Sequence, residues 1–303
     1  MVARDDPARN GTESKSGSGW EDTRMSDDLA GRLVWIFGSP RSGSTWLARL
    51  LTQLTGGVQI NEPLIGAHLG LSVGNLLGTP VDGDPLVVSQ MASRDSYFFC
   101  DDARDTWRPL LRALVLGGFA PAIAGRPGLV IVKEPWGSTG AQVLMHALPE
   151  SRLLFLVRDG RDVVDSLIDG ADGGWITDRL GARIDDRSRT ILEASLMWVR
   201  SIEATQRAFD LHPAALRLQL NYESLLTDTT AELQRIAAWL EIDRDAVRPI
   251  VERSQLSLRG RTSGRKRFFR SAHPGLWRDH LAPDEKEIAQ RVMGPTLAKF
   301  GYE

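Results

Sequence analysis

The sequence predicts an α/β fold with three layers: a parallel sheet, helices on both of its faces, and a P-loop-like phosphate-binding turn. Three observations carry this expectation. Short apolar runs alternate with helical patterns along the chain, the pattern of parallel strands joined by crossover helices. The first run, LVWIF at 33–37, leads directly into the Gly-rich stretch GSPRSGSTWLARLL at 38–51. Arg41, Lys133, Arg158 and Tyr222 each follow a predicted strand, and ligands of such sheets sit at the carboxyl ends of the strands.

Residues 1–30 are polar and rich in Gly, Ser and charge. Such a segment buries too little apolar surface to offset its ordering entropy, so a disordered tail is expected before a single domain over 31–303. After the strand at 33–37, STWLARLLTQL reads as a helix, with Trp46, Leu47, Leu50, Leu51 and Leu54 at helical spacing. The stretches 62–125 and 170–190 are rich in Gly, Pro and Asp and read as insertions over the top of the sheet. LVIV at 129–132 is a second strand, and RLLFLV at 152–157 a third, followed by a helix through DVVDSLI. Residues 190–208 form one long helix containing Trp198. LRLQLNY is a fourth strand, and TTAELQRIAAWL after it an amphipathic helix. No internal repeat is visible.

Composition narrows the class. With 42% hydrophobic and 25% charged residues, the 303-residue chain can build a sizeable core. A net charge of −2 argues against a general nucleic-acid binder. No apolar run reaches the ~20 residues of a membrane-spanning helix, and no basic segment followed by an apolar one opens the sequence. The expectation is a cytoplasmic protein without a membrane span. The single cysteine, Cys100, excludes an internal disulfide framework and a cysteine-based zinc site. It reads as a small core residue.

The Gly-rich turn poses the chemical question. Gly38 and Gly43 have the spacing of G-x-x-x-x-G-K-[ST], but Ser44 stands where the lysine belongs. Backbone N–H groups of such a turn converge on an anion, and the dipole of the following helix adds to the attraction. Ser42, Gly43, Ser44 and Thr45 are therefore candidate phosphate ligands. A triphosphatase needs the loop lysine and an acidic strand end for magnesium. Neither is evident, and the positive charge has moved to Arg41. The loop suits an anionic nucleotide better than a magnesium triphosphate, and no metal is expected. A P-loop kinase or NTPase, or a nucleotide-binding protein without catalysis, are the alternatives.

Four motifs occur in order between 39 and 281: PRSGSTWL, LVRDGRDVVDSL, LNYESLL and RSAHPGLWRDHL. Together they resemble the signatures of sulfotransferases that use 3′-phosphoadenosine 5′-phosphosulfate and release 3′-phosphoadenosine 5′-phosphate. The resemblance implies that the first motif binds the 5′-phosphosulfate. It implies that Arg158 and Ser166, eight positions apart, bind the 3′-phosphate, where a guanidinium can pair two oxygens and a hydroxyl adds a further bond. Trp46 and Tyr222 match residues facing the adenine. Counted back from Trp277, Arg270 and Gly275 match the C-terminal phosphate-binding positions, while the family's neighbouring lysine is Ser271. Arg265, Lys266 or Arg267 could substitute for it.

Arg41 occupies a loop position where many relatives carry a catalytic lysine. An arginine holds its proton, so here it would stabilise charge electrostatically. Lys133 matches a lysine that some relatives place after the second strand. The acceptor hydroxyl also needs a base. The histidine used by the animal cytosolic branch is replaced by Pro135, and the five histidines fall in no base motif. Two carboxylates compete: Glu62, in INEP, and Glu134, beside Lys133, with Glu62 preferred because some bacterial carbohydrate sulfotransferases carry a Glu base there. This implies a small-molecule, glycan or glycolipid acceptor.

Overall fold

The computed structural model describes residues 28–74, 103–171, 186–259 and 274–303. Residues 28–32 are helical, with Leu29 and Ala30 buried. The packed structure thus begins just before the expected boundary at 31, while 1–27 lie outside the described residues, as does Cys100.

Among the described residues five strands form one parallel sheet in the order β2-β3-β1-β4-β5. They are β1 (Leu33–Gly38), β2 (Val58–Asn61), β3 (Val130–Lys133), β4 (Arg152–Val157) and β5 (Arg217–Asn221). β1 lies at the centre, with Trp35 opposite Val132 on one side and Leu153 on the other. The chain runs from β1 out to β2, back to β3, then across β1 to β4. The reversal places the switch point, and hence the crevice where ligands bind, at the carboxyl end of β1.

Alternating side chains of each strand point to opposite faces. Leu33, Trp35, Phe37, Val132, Phe155 and Val157 enter one core. It is covered by α3 (Arg104–Ile123), α4 (Ala141–Ala147), α5 (Gly160–Ala171), α6 (Arg187–Leu211) and α11 (Pro283–Lys299). Val34, Ile36, Ile131, Leu154 and Leu156 enter the other. There they meet α1 (Ser44–Thr55), α7 (Tyr222–Thr227), α8 (Thr229–Trp239) and α9 (Val247–Arg259). Both sides of the sheet are thus dry, which is why the strands read as continuous apolar runs rather than alternating ones. α2 (Ile65–Gly74) packs on the 3-10 turn Pro135–Gly140, and α10 (Trp277–His280) follows the last undescribed stretch. No described helix is long and apolar enough to cross a membrane.

Two expectations are corrected. The stretch 62–125 is not wholly irregular: α2 and the twenty-residue α3 lie within it. α3 buries Trp107, Leu111, Val115, Phe119 and Ile123 in the first core, so it is part of the scaffold rather than an insertion above the sheet. The sheet also has a strand that the sequence reading lacks, β2, and Glu62 follows its end.

Candidate active site

The turn after β1 is shaped by close approaches. At Gly38, with φ 143°, an added Cβ would lie 2.1 Å from the Leu156 carbonyl oxygen, so any side chain would force β1 and β4 apart. Ser138 fixes the same point from the 3-10 turn: its hydroxyl accepts from Gly38 N–H at 2.9 Å and donates to Gly38 O at 2.6 Å. Sequence reasoning missed Ser138, because its contact spans 100 positions. Gly43 adopts φ 90°, and a Cβ there would meet the Tyr222 ring at 2.5 Å. α1 starts immediately after it with no side-chain cap and no acidic residue in its first turn. The positive end of the helix is therefore left to attract an anion. Ser42 is fully buried in this turn, and its hydroxyl is without a hydrogen-bond partner among the described residues.

Three expected donor ligands come together beside the turn. Arg41, at φ 67°, donates from Nε to Ser166 Oγ at 3.1 Å. Arg158 donates from Nη1 to the Arg41 carbonyl at 2.9 Å, and its guanidinium lies 4.5 Å from the Tyr222 ring centroid. The Arg158 Nε is buried with no partner among the described residues. Burial, then the Arg158 charge, lowers the Arg41 pKa. The like charges of Arg41 and Arg158 repel each other, and a neighbouring anion would relieve that repulsion. Tyr222 is enclosed by Gly43, Arg158 and Trp46, whose ring stands edge-on to it at 6.4 Å. Half-buried Trp46 is itself oriented by a bond from Nε1 to Ser254 Oγ at 3.2 Å.

On the other side of the turn, Lys133 Nζ contacts Glu62 Oε1 at 2.7 Å and donates to Thr45 Oγ1 at 3.1 Å. Lys133 is buried while the Glu62 side chain is 29% exposed, so an incoming molecule can reach the carboxylate. Glu134 differs. It is fully buried, and its oxygens accept from Leu64 N–H and Gly66 N–H, both at 3.0 Å. Burial raises its pKa to about 7, against the lowering effect of those two bonds. The Glu134 carboxylate thus supports the turn after Glu62.

The C-terminal motif is docked on the helix that follows Arg158. Gly275 N–H donates to Asp162 Oδ2 at 2.7 Å, and Trp277 N–H to Asp162 Oδ1 at 3.4 Å. The Trp277 ring has the guanidiniums of Arg161, at 4.3 Å, and Arg278, at 4.6 Å, against it. His280 contacts Asp165 at 3.0 Å. Arg270, Ser271, Arg265, Lys266 and Arg267 lie outside the described residues. A further brace joins the chain's end to the site: Tyr302 donates to Glu223 Oε2 at 2.8 Å, and Glu223 Oε1 accepts from Asp159 N–H at 3.0 Å.

A profile described as the sulfotransferase family matches residues 34–246, spanning the turn, Lys133, the Arg158 motif and Tyr222. The chain belongs to the sulfotransferase family. The fold of this sulfotransferase is similar to that of mouse sulfotransferase SULT7A1, whose crystal structure is a complex with PAP (15% identity, 92% of this chain and 93% of that one, TM-score 0.56). It is also similar to that of sulfotransferase STF9 from Mycobacterium avium (16% identity, 93% of this chain and 80% of that one, TM-score 0.54). At these identities the likeness concerns the fold. A search of curated protein sequences finds no match.

Proposed function

We propose that this sulfotransferase moves a sulfuryl group from 3′-phosphoadenosine 5′-phosphosulfate to a hydroxyl of a sugar or glycolipid acceptor. The observation that carries the reading is the cluster of Arg41, Arg158 and Ser166, tied together by two hydrogen bonds beside the uncapped start of α1. The buried hydroxyl of Ser42 and the buried Nε of Arg158 add two polar atoms without partners among the described residues. These groups fit a nucleotide with phosphates at two positions. Ser42, Gly43, Ser44 and Thr45 would hold the 5′ end, and Arg158 and Ser166 the 3′-phosphate. Trp46 would meet the base, Tyr222 would support it through the loop, and Arg270 and Gly275 would complete the phosphate site.

In the transfer, the acceptor oxygen forms a bond to sulfur as the bond from sulfur to the bridging phosphate oxygen breaks. The electron pair leaves on that oxygen, and the acceptor proton passes to Glu62. Glu62 fits the base role because it is reachable from outside and lies against Lys133, whereas both Glu134 oxygens are engaged by backbone. Lys133 and Arg41 place positive charge where the leaving oxygen gains negative charge, the kind of preorganised stabilisation that dominates many transfers. No metal takes part. The acceptor class rests on the resemblance of the loop and its carboxylate base to carbohydrate-type sulfotransferases. The test is incubation with sulfur-labelled donor and a panel of sugars, glycolipids, phenols and amines. Label in a hydroxylated sugar or glycolipid is the expected result; label only in a phenol or amine overturns the acceptor class.

A further inference from the structure

The turn that carries Glu62 is held in an unfavourable backbone conformation. Glu62 has φ 50° and Leu64 φ 60°, a left-handed region that residues with side chains seldom occupy. Such conformations persist only where the surroundings over-determine them. Two contacts do so here. Glu62 N–H donates to the Lys133 carbonyl at 2.7 Å, and the next residue in that strand end, Glu134, accepts from both Leu64 and Gly66.

The surroundings of Glu134 are fitted to it. A Cβ on Gly137 would lie 2.2 Å from Glu134 Oε1, and a Cβ on Gly66 would lie 2.1 Å from the Gly137 carbonyl oxygen. Only glycine at both positions lets the turn, the carboxylate and the 3-10 turn stack in contact. Glu62 and Lys133 are the charged groups whose fields act on Glu134. No direct ion pair to Glu134 is present among the described residues, so its charge is held by backbone N–H groups. An apolar or amide side chain would fill this space at lower desolvation cost.

We propose that Glu134 is a positioning residue: its ionised carboxylate clamps the 62–66 turn and so keeps the Glu62 carboxylate against Lys133, ready to receive the acceptor proton. Protonation takes the negative charge off the carboxyl group and weakens the hydrogen bonds it accepts from the two N–H donors. The clamp therefore works with Glu134 ionised and loosens as the medium becomes more acidic. The inference rests on Glu62 being the base. Full transfer by Glu62→Gln would remove that reading, whereas the measurements below judge the clamp itself.

The experiment uses full-length protein saturated with 3′-phosphoadenosine 5′-phosphate, comparing wild type with Glu134→Gln. Amide hydrogen exchange at Leu64 and Gly66 should quicken at least ten-fold in the variant, while Ile36 and Val132 in the sheet keep their protection. A crystal structure of the variant should show the Glu62 carboxylate parted from Lys133 Nζ. Unchanged protection at Leu64 and Gly66, or an intact Glu62–Lys133 contact, overturns the proposal. Should the variant fail to fold, wild type decides alone. Protection at Leu64 and Gly66, corrected for intrinsic exchange, should fall as pH is lowered through about 7, and a flat profile overturns the clamp.

Discussion

At the scale of single residues, the donor site is a problem of where positive charge is placed. Arg158 braces the loop through the Arg41 carbonyl and keeps a buried Nε without a partner among the described residues. Arg158→Ala should weaken binding of 3′-phosphoadenosine 5′-phosphate by about 1.5–3 kcal/mol, the scale of a charge-assisted hydrogen bond. Binding of adenosine 5′-phosphosulfate, which has no 3′-phosphate, should fall much less. Equal losses by calorimetry would mean that the arginine acts only through the loop. Glu62→Gln keeps the shape but cannot take a proton, so transfer should slow by ~10²–10⁴ while nucleotide affinity holds. Steady-state rates alongside calorimetry separate the two effects. The grouping of Arg41 with Arg158 and Ser166 was legible from basic residues at predicted strand ends. Glu134 was legible as a candidate but not in its role: that both its oxygens face backbone N–H groups depends on a contact 70 positions away.

At the scale of elements, the loop, β1 and α1 act as one piece because glycines allow them to touch their neighbours. Gly43→Ala should push the Tyr222 ring off the turn. Nucleotide affinity is then expected to drop ten-fold or more with the fold retained, read by calorimetry and circular dichroism together. Affinity within two-fold of wild type would show that the ring has room to move. Elements with long apolar runs, β1, β3 and β4, were legible from the sequence. β2 was not, since it is a four-residue edge strand with no fully buried residue, too short to stand out by periodicity. α3 was hidden by Pro109, Pro121 and two adjacent glycines, all of which read as helix breakers. Its signal was present nonetheless: Trp107, Leu111, Val115 and Phe119 recur every four residues. Packing of that stripe on the sheet outweighs the local cost of the prolines.

At the scale of the whole molecule, the site costs the fold stability, and the cost depends on pH. Glu134 is fully buried, and burial raises its pKa from 4.5 to about 7. In that interval the folded protein binds a proton more tightly than the unfolded chain does. The contribution is thus fully present below 4.5 and lost as pH rises to about 7, a total of about 3 kcal/mol. Wild type should lose thermal stability across this window, and Glu134→Gln should lose markedly less. Parallel melting curves from pH 4.5 to pH 8 that show the same slope for both proteins would contradict this. Under the proposed clamp, a residue that weakens the fold when ionised yet positions Glu62 only when ionised is the expected trade between stability and function.

The proposed function requires the turn after β1 to hold a doubly phosphorylated adenine nucleotide without a metal, and not a magnesium triphosphate. Calorimetry with full-length protein tests it most directly, using 3′-phosphoadenosine 5′-phosphate and ATP, each with magnesium and with chelator. Tight binding of the bisphosphate, indifferent to magnesium, is expected, with ATP binding far more weakly. Tight, magnesium-dependent binding of ATP and none of the bisphosphate would contradict it.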